Sequence, residues 1–262
     1  MVTKQQLNRK FNIIIGLLLA IFLVSGSFVA VYYTTSFRNQ SDIKVLQNQI
    51  DRDQQSQTGS NTVTKEESDS KKIAPYQALY QQNNDMLGWI TIESTQIDFP
   101  VMQTKNVKDY YLYRNFNEEY SVSGLPYVQE QCDVFEPTDN VIIHGHNRSD
   151  GTMFATLLKY KKADFYNQHS IIEFDTINEC HRYQVFAVFS IEVNTGDDQF
   201  PYYNFVQADD KQQFDQFVDN CYKYAINSTD LNISYGDKLL TLSTCDRSLS
   251  DGRCVVVAVR ID

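Results

Sequence analysis

The sequence predicts a mainly β domain, a barrel or sandwich with helices in its loops, that follows one membrane-spanning helix. Short apolar segments separated by turns succeed one another from Gly88 to the end of the chain. Tyr and Phe, which favour strands, number 17 and 16 among 262 residues. A single long apolar run near the amino terminus predicts the membrane-spanning helix.

The amino-terminal run has the length and the flanks of a membrane anchor. Residues 11–37 carry no charge, and Ile13–Tyr33 would reach about 31 Å as a helix, which is the thickness of a bilayer core. Three basic residues precede the run, so the positive-inside rule predicts residues 1–10 in the cytoplasm and the rest outside the cell. The alternative is a cleaved signal peptide with Ser25-Gly26-Ser27 as its cleavage site. Both interpretations export the body of the chain.

Residues 38–75 are predicted to be a polar linker and an amino-terminal helical region. Apolar residues spaced i, i+3 and i+7 from Ile43 predict a short amphipathic helix. Gln54–Thr62 is typical of a flexible linker. Thr64-Lys65-Glu66-Glu67 fits a capping box at the start of a helix, which Pro75 would restart.

The remaining elements belong to the predicted domain, residues 76–262. Seven segments have the apolar pattern of strands: Trp89–Ile92, Ile97–Met102, Val141–Ile143, Ser170–Thr176, Tyr183–Val193, Lys238–Thr244 and Cys254–Ile261. Two segments, Met153–Tyr160 and Asp209–Ala225, place apolar residues at helical spacing.

Charge and motif spacing exclude several functions. The net charge of −10 argues against nucleic acid as a partner, because a binding surface for phosphates is basic. The pair His144-x-His146 has no third metal ligand at motif spacing, and the five cysteines show no C-x-x-C pattern. We therefore expect neither a metal nor a cofactor.

Cys245 has the setting of a reactive thiol. It ends the apolar strand 239–244, where a polar loop begins, and such positions commonly carry catalytic side chains. The loop leads to Arg253 and the next strand, which would bring the guanidinium near the sulfur. A nearby guanidinium favours the thiolate, the reactive form of a thiol. The alternative is a small buried core residue.

His146 is the candidate proton carrier. Like Cys245, it follows an apolar strand and opens a loop, Gly145-His146-Asn147. Imidazole exchanges protons near neutral pH, and a thiol with an imidazole is sufficient for acyl transfer.

These segments resemble the sortase family, and in particular its class B. Thr241-Leu242-Ser243-Thr244-Cys245, followed by Arg253 and a valine-rich strand, is similar to the sortase cysteine signature. Gly145-His146-Asn147 with Asp150–Phe154 resembles the class B histidine segment, and Gly88-Trp89-Ile90 with Phe99-Pro100-Val101 resembles the start of the barrel. The resemblance covers roughly 76–262. His144 departs from it, because class B sortases often have Tyr there.

The resemblance implies a closed eight-stranded barrel with amino-terminal helices and a helix in the loop before the cysteine strand. It implies a membrane-anchored cysteine transpeptidase of Gram-positive bacteria that attaches surface proteins to the cell wall. Cys245 would attack the Thr carbonyl of a carboxy-terminal sorting signal on an exported protein. The resulting thioester would pass to the amine of a lipid-linked peptidoglycan precursor.

The resemblance also assigns roles to other residues. His146 would transfer protons, and Arg253 would hydrogen-bond the substrate or the oxyanion. Ser243, Tyr203 and Thr244 would contact the peptide. The sorting motif stays open between NPQTN-like and LPxTG-like sequences.

Three alternatives remain at this stage. One is a pilus-assembly transpeptidase that uses a lysine acceptor, and another is an exported peptidase that only hydrolyses. The third is a non-catalytic membrane-tethered binding protein on the same scaffold.

Overall fold

The computed structural model describes residues 4–56, 65–193 and 200–262. Its α-helices are α1 (Lys4–Ser56), α2 (Lys65–Tyr80), α3 (Ala163–Gln168) and α4 (Lys211–Tyr224). Its strands are β1 (Met86–Thr91), β2 (Asp98–Met102), β3 (Tyr127–Val128), β4 (Asn140–His144), β5 (Ile171–Thr176), β6 (Arg182–Glu192), β7 (Asn227–Ser228), β8 (Leu239–Asp246) and β9 (Gly252–Arg260). Three 3-10 helices, Tyr110–Tyr113, Phe154–Lys161 and Tyr202–Asn204, lie in the loops.

Eight strands close into a barrel, as the resemblance implied. The order around the barrel is β5-β1-β2-β3-β4-β8-β9-β6, and pairing of β6 with β5 closes it, while β7 lies beside β6. All seven predicted strands are present. The strands β3 and β7 were not predicted, because a segment of two residues is too short to show an alternating apolar pattern.

Two apolar clusters explain why the central strands are apolar on both faces. On β9, Val256 and Ala258 face the barrel interior, whereas Val255, Val257 and Val259 belong to an outer cluster. Helix α4 covers this outer cluster with the apolar face that the sequence predicted. The segment Met153–Tyr160 is a 3-10 helix instead of an α-helix.

Helix α1 is longer than predicted, because the anchor and the amphipathic segment form one helix of 53 residues. The apolar side chains of its first part are exposed, and the stretch is long and apolar enough to cross a membrane. The second part buries Ile43, Leu46 and Ile50 against the domain. This burial stabilises the helix beyond the apolar run.

The structure also bears on two smaller predictions, the linker after residue 54 and the restart of a helix at Pro75. Residues 54–56 are the last turn of α1, while residues 57–62 of the predicted linker and Thr64 of the capping box lie outside the described residues. Helix α2 continues through Pro75, so the predicted restart at that residue was wrong.

Candidate active site

Cys245 and Arg253 are direct cross-strand partners next to the loop that connects β8 to β9. Their Cα atoms are paired in the antiparallel register, so both side chains lie on one face, with Cβ atoms about 5 Å apart. Cys245 is exposed. The Arg253 guanidinium donates to the carbonyls of Gly252 at 3.0 Å and Asp251 at 3.3 Å.

The three buried thiols among the described residues are suited to packing rather than to chemistry. Cys254 lies one residue after Arg253 and faces the opposite side, as strand alternation predicted. Its thiol donates to the Leu157 carbonyl at 3.6 Å, and burial raises its pKa to about 12. Burial also raises the pKa of Cys132 and Cys221. These three groups are protonated at neutral pH.

His146 reaches the same edge of the barrel because β4 pairs in parallel with β8. The register joins His144 to Ser243, so the histidine segment and the cysteine segment leave the sheet side by side. Gly145 directly follows β4, and a Cβ atom there would lie 2.6 Å from the Phe154 ring. Only glycine, which has no Cβ atom, allows the backbone to lie this close to the Phe154 ring.

Two side-chain hydrogen bonds add to the backbone pairing that holds the histidine segment to the cysteine strand. The Thr244 hydroxyl donates to the Gly145 carbonyl at 2.7 Å, and the Asn147 amide donates to the Cys245 carbonyl at 2.8 Å. Thr244 and Asn147 therefore fix the position of His146 relative to Cys245.

The surroundings of His146 favour the neutral imidazole. Its Nε2 lies 2.8 Å from the Leu112 carbonyl, which can only accept, so Nε2 carries the hydrogen and Nδ1 is the basic nitrogen. Burial lowers the pKa of His146, and the Arg148 and Arg247 charges lower it further, although the Leu112 carbonyl opposes them. A neutral imidazole can accept a proton at pH 7.

One cavity of about 660 Å³ brings the candidate residues together. It is lined by all six predicted site residues: Cys245, His146, Arg253, Ser243, Tyr203 and Thr244. The Thr244 hydroxyl is engaged with Gly145, so this side chain joins the two segments as well as bordering the cavity.

Three lining residues that the sequence analysis did not assign to the site make hydrogen bonds at the cavity wall. Tyr202 is buried and its hydroxyl lies 2.7 Å from that of Ser243. His144 lies 3.1 Å from the Gln129 side-chain oxygen, and burial lowers its pKa to about 4. No local signal marks Gln129 or Tyr202, because only the closed barrel brings them to the cavity.

An exposed thiol, an imidazole and a guanidinium around one cavity define the site of a cysteine acyl-transfer enzyme. Residues 90–261 match the model of the Sortase domain. Sortase B of Staphylococcus aureus is 34% identical over 187 residues, which are 70% of this chain and 73% of that protein. The chain therefore belongs to the sortase family, as a cysteine transpeptidase of class B.

Solved structures agree with this assignment. The Staphylococcus aureus sortase B–substrate complex superimposes with a TM-score of 0.72 at 26% identity, and covers 86% of this chain and 97% of that one. A sortase B structure described as complexed with triglycine gives a TM-score of 0.72 at 27% identity, over 86% and 98% of the two chains. The class predicted from the sequence is confirmed.

Proposed function

We propose that Cys245 is the nucleophile, His146 the proton carrier and Arg253 the oxyanion donor of this transpeptidase. The observation that carries the proposal is the cross-strand pair of Cys245 and Arg253 opening into the cavity that His146 also lines. The described residues offer no other exposed thiol beside both a cation and an imidazole.

The first half-reaction forms a thioester. Neutral His146 takes the proton of the Cys245 thiol, and the resulting thiolate attacks the Thr carbonyl of a sorting signal. The new C–S bond leaves a negative charge on the carbonyl oxygen. Arg253 donates a hydrogen bond to that oxygen. The C–N bond then breaks, and a protonated His146 gives its proton to the leaving amine.

The second half-reaction reverses these steps with a new amine. Neutral His146 takes a proton from the incoming ammonium group, and the free amine attacks the thioester carbonyl. The C–S bond breaks, and the Cys245 sulfur takes the remaining extra proton of the attacking nitrogen and becomes a thiol again. His146 releases its proton to water, and a new amide bond joins donor and acceptor. Transfer exceeds hydrolysis when the amine is held in place and water is kept from the thioester.

The lining of the cavity and the descriptions of the relatives support the proposed donor and acceptor. The cavity is walled by hydroxyl, amide and aromatic groups, which suit a neutral peptide in extended form. The relatives are described as a sortase B–substrate complex and as sortase B complexed with triglycine. We propose an exported protein with a carboxy-terminal sorting signal as donor, and a peptidoglycan precursor amine on a lipid carrier as acceptor.

We propose that α1 anchors the enzyme as a single-pass helix, with residues 1–10 in the cytoplasm and the catalytic domain outside a Gram-positive cell. The exposed apolar side chains of its first part support this placement, because they have no protein surface to cover them. Anchoring places the enzyme on the surface where exported donors and lipid-carried acceptors meet, which raises their effective concentration.

The test uses the full chain in nanodiscs with fluorogenic peptides of NPQTN and LPxTG type, each with and without triglycine. We expect cleavage after Thr, a thioester adduct on Cys245 and an amine-ligated product by mass spectrometry. Cys245→Ala should abolish all three. Cleavage that persists in Cys245→Ala would contradict the proposal, and ligation to a lysine peptide in place of triglycine would favour pilus assembly.

A further inference from the structure

Helix α1 meets the catalytic domain at the point where its apolar run ends. Successive side chains at intervals of four, three, four, three and four residues face the domain, and we call this set the docking stripe: Tyr32, Ser36, Asn39, Ile43, Leu46 and Ile50. Such spacing keeps one face of a helix in contact over five turns. The domain is therefore joined to the anchor without an intervening linker.

The first contact of the docking stripe involves the loop that follows His146. Arg148 is 8% exposed, and its guanidinium donates to the hydroxyls of Tyr32 and Ser36, both at 3.1 Å, and to Asp150 at 3.3 Å. The same guanidinium lies 5.2 Å from the Tyr32 ring centroid. A buried cation without partners is costly. The end of α1 thus supplies part of the support of this loop.

A second contact joins α1 to the loop 115–121. Arg38 pairs with Glu119 at 3.2 Å, and the Asn115 amide donates to Asp42 at 3.3 Å. A crevice of about 340 Å³ lies between this loop and the helix. These contacts fix the distance of the loop from the end of the apolar run.

That distance places the loop in the headgroup layer. The apolar run ends at Tyr33, and Arg38 lies five residues further along the helix, or about 7.5 Å. The headgroup layer on each side of a bilayer core is about 5–8 Å thick. Tyr120 follows Glu119 and is 70% exposed, and its ring stacks on the exposed Tyr113 ring.

We propose that Tyr113 and Tyr120 form a lipid-facing surface of the catalytic domain, which rests on the headgroups of the bilayer that holds α1. Tyrosine favours this layer because its ring is apolar and its hydroxyl is polar. The inference depends on the anchoring role proposed above for α1.

The surface has a consequence for the site beside it. Tyr113 lines the catalytic cavity, and its ring lies 5.4 Å from that of His146. The His146 wall of the cavity is therefore the wall nearest to the membrane. An acceptor amine carried by a lipid would reach the thioester from this side.

The test measures the depth of tryptophans that are introduced one at a time into the full chain, which is reconstituted in vesicles of phosphatidylcholine and phosphatidylglycerol with headgroup nitroxides. The probe is Tyr120→Trp, and buried Trp89 supplies the baseline in every sample. The matched control is Tyr235→Trp, an exposed tyrosine before the start of β8, about 23 Å along the strand from its Cys245 end. Asn117→Trp is a second probe in the same exposed loop.

We expect at least twofold stronger quenching above the Trp89 baseline at positions 120 and 117 than at position 235. Equal quenching at the three positions in chains that float with the vesicles would overturn the lipid-facing surface and leave the anchor intact. Chains that do not float with the vesicles would overturn the anchor and the surface together.

Discussion

The side-chain amide of Asn147 donates to the main-chain carbonyl of Cys245 across 2.8 Å. This bond joins the residue after His146 to the residue that carries the thiol, across 98 positions of sequence. Arg247 supports it from the other side by donating to the Asn147 carbonyl at 2.9 Å. The relative position of His146 and Cys245, the proposed base and the proposed nucleophile, therefore depends on the side chain of Asn147.

Asn147→Ala should lower kcat about 10- to 100-fold with little change in KM. Loss of the bond to Cys245 lets His146 move, and a displacement of about 1 Å is enough for such a loss. Steady-state kinetics with a fluorogenic sorting peptide would measure both constants. Asn117→Ala, an exposed amide outside the cavity, is the control, and an unchanged kcat in Asn147→Ala would contradict the positioning role.

The two thiols at the ends of the β8–β9 loop should respond oppositely to substitution. Cys245→Ala should lower the rate at least about 10³-fold, because the covalent intermediate cannot form. Cys254→Ala should retain most activity, because its side chain faces away from the cavity. Peptide cleavage and thioester capture by mass spectrometry would check both, and equal losses would show that the two roles are wrongly assigned.

Arg253→Ala should lower kcat about 10²- to 10³-fold, the usual loss when one oxyanion donor is removed. Arg253→Lys should recover only part of the rate, because an ammonium group lacks the planar fork of a guanidinium. The alkylation rate of Cys245 by a small thiol reagent would be measured in parallel. A rate of cleavage unaffected by Arg253→Ala would remove this residue from the mechanism.

His144 should make the fold sensitive to mild acid. Burial lowers its pKa to about 4, and the charges of Arg253 and Lys108 act in the same direction against Asp109. The unfolded chain binds a proton near pH 6.5 and the folded chain does not, so the free energy of unfolding falls as pH falls from 6.5 to 4. The loss would be at most about 3 kcal/mol.

Denaturant unfolding of wild type and His144→Gln at pH 7.5, 5.5 and 4.5 would measure this loss. Gln keeps a donor toward Gln129 and cannot bind the proton, so the variant should lose less stability over that range. His146 titrates in the same direction and remains in both proteins. Identical pH profiles would show that His144 does not contribute.

Asp246 should govern stability in stronger acid. Burial alone would raise its pKa, but hydrogen bonds from Lys161, Ser248 and Ser190 outweigh burial and hold the pKa well below its usual range. Because the folded pKa is the lower one, its contribution is complete above about pH 4 and is lost as pH falls further.

Asp246→Asn should therefore lower the free energy of unfolding at pH 7 by about 2 kcal/mol, because it leaves the Lys161 ammonium without its partner. Asp215→Asn is the matched control, since it removes an exposed helical pair with Lys211 that contributes about 0.5 kcal/mol. Equal effects of the two substitutions would show that the Lys161 pair is no stronger than a surface pair.

The sequence predicted those parts of the molecule that leave a local pattern. The apolar runs of β4, β8 and β9 are long enough to show their period, and the residues at their ends, Cys245 and His146, stand out by position. The resemblance then added the barrel and the class, which the comparisons confirm.

The parts that were missed depend on contacts between distant segments. Gln129 and Tyr202 reach the cavity only when the barrel closes, and neither lies in a recognisable motif. The continuity of α1 was missed because the segment after Phe37 is polar. Burial of the docking stripe against the domain keeps this segment helical. The domain surface that it contacts exists only in the folded protein, so the sequence alone could not predict the contact.

The parallel pairing of β4 with β8 has a consequence for when this enzyme becomes active. Parallel neighbours cannot form by a local hairpin, and here nearly a hundred residues separate the partners. Such long-range pairing is slow to form, because the entropy of a large loop is lost first. A newly made chain would thus hold the Cys245 thiol and the His146 imidazole apart until the whole barrel has closed. The proposed acyl chemistry can therefore begin only after folding of the barrel is complete.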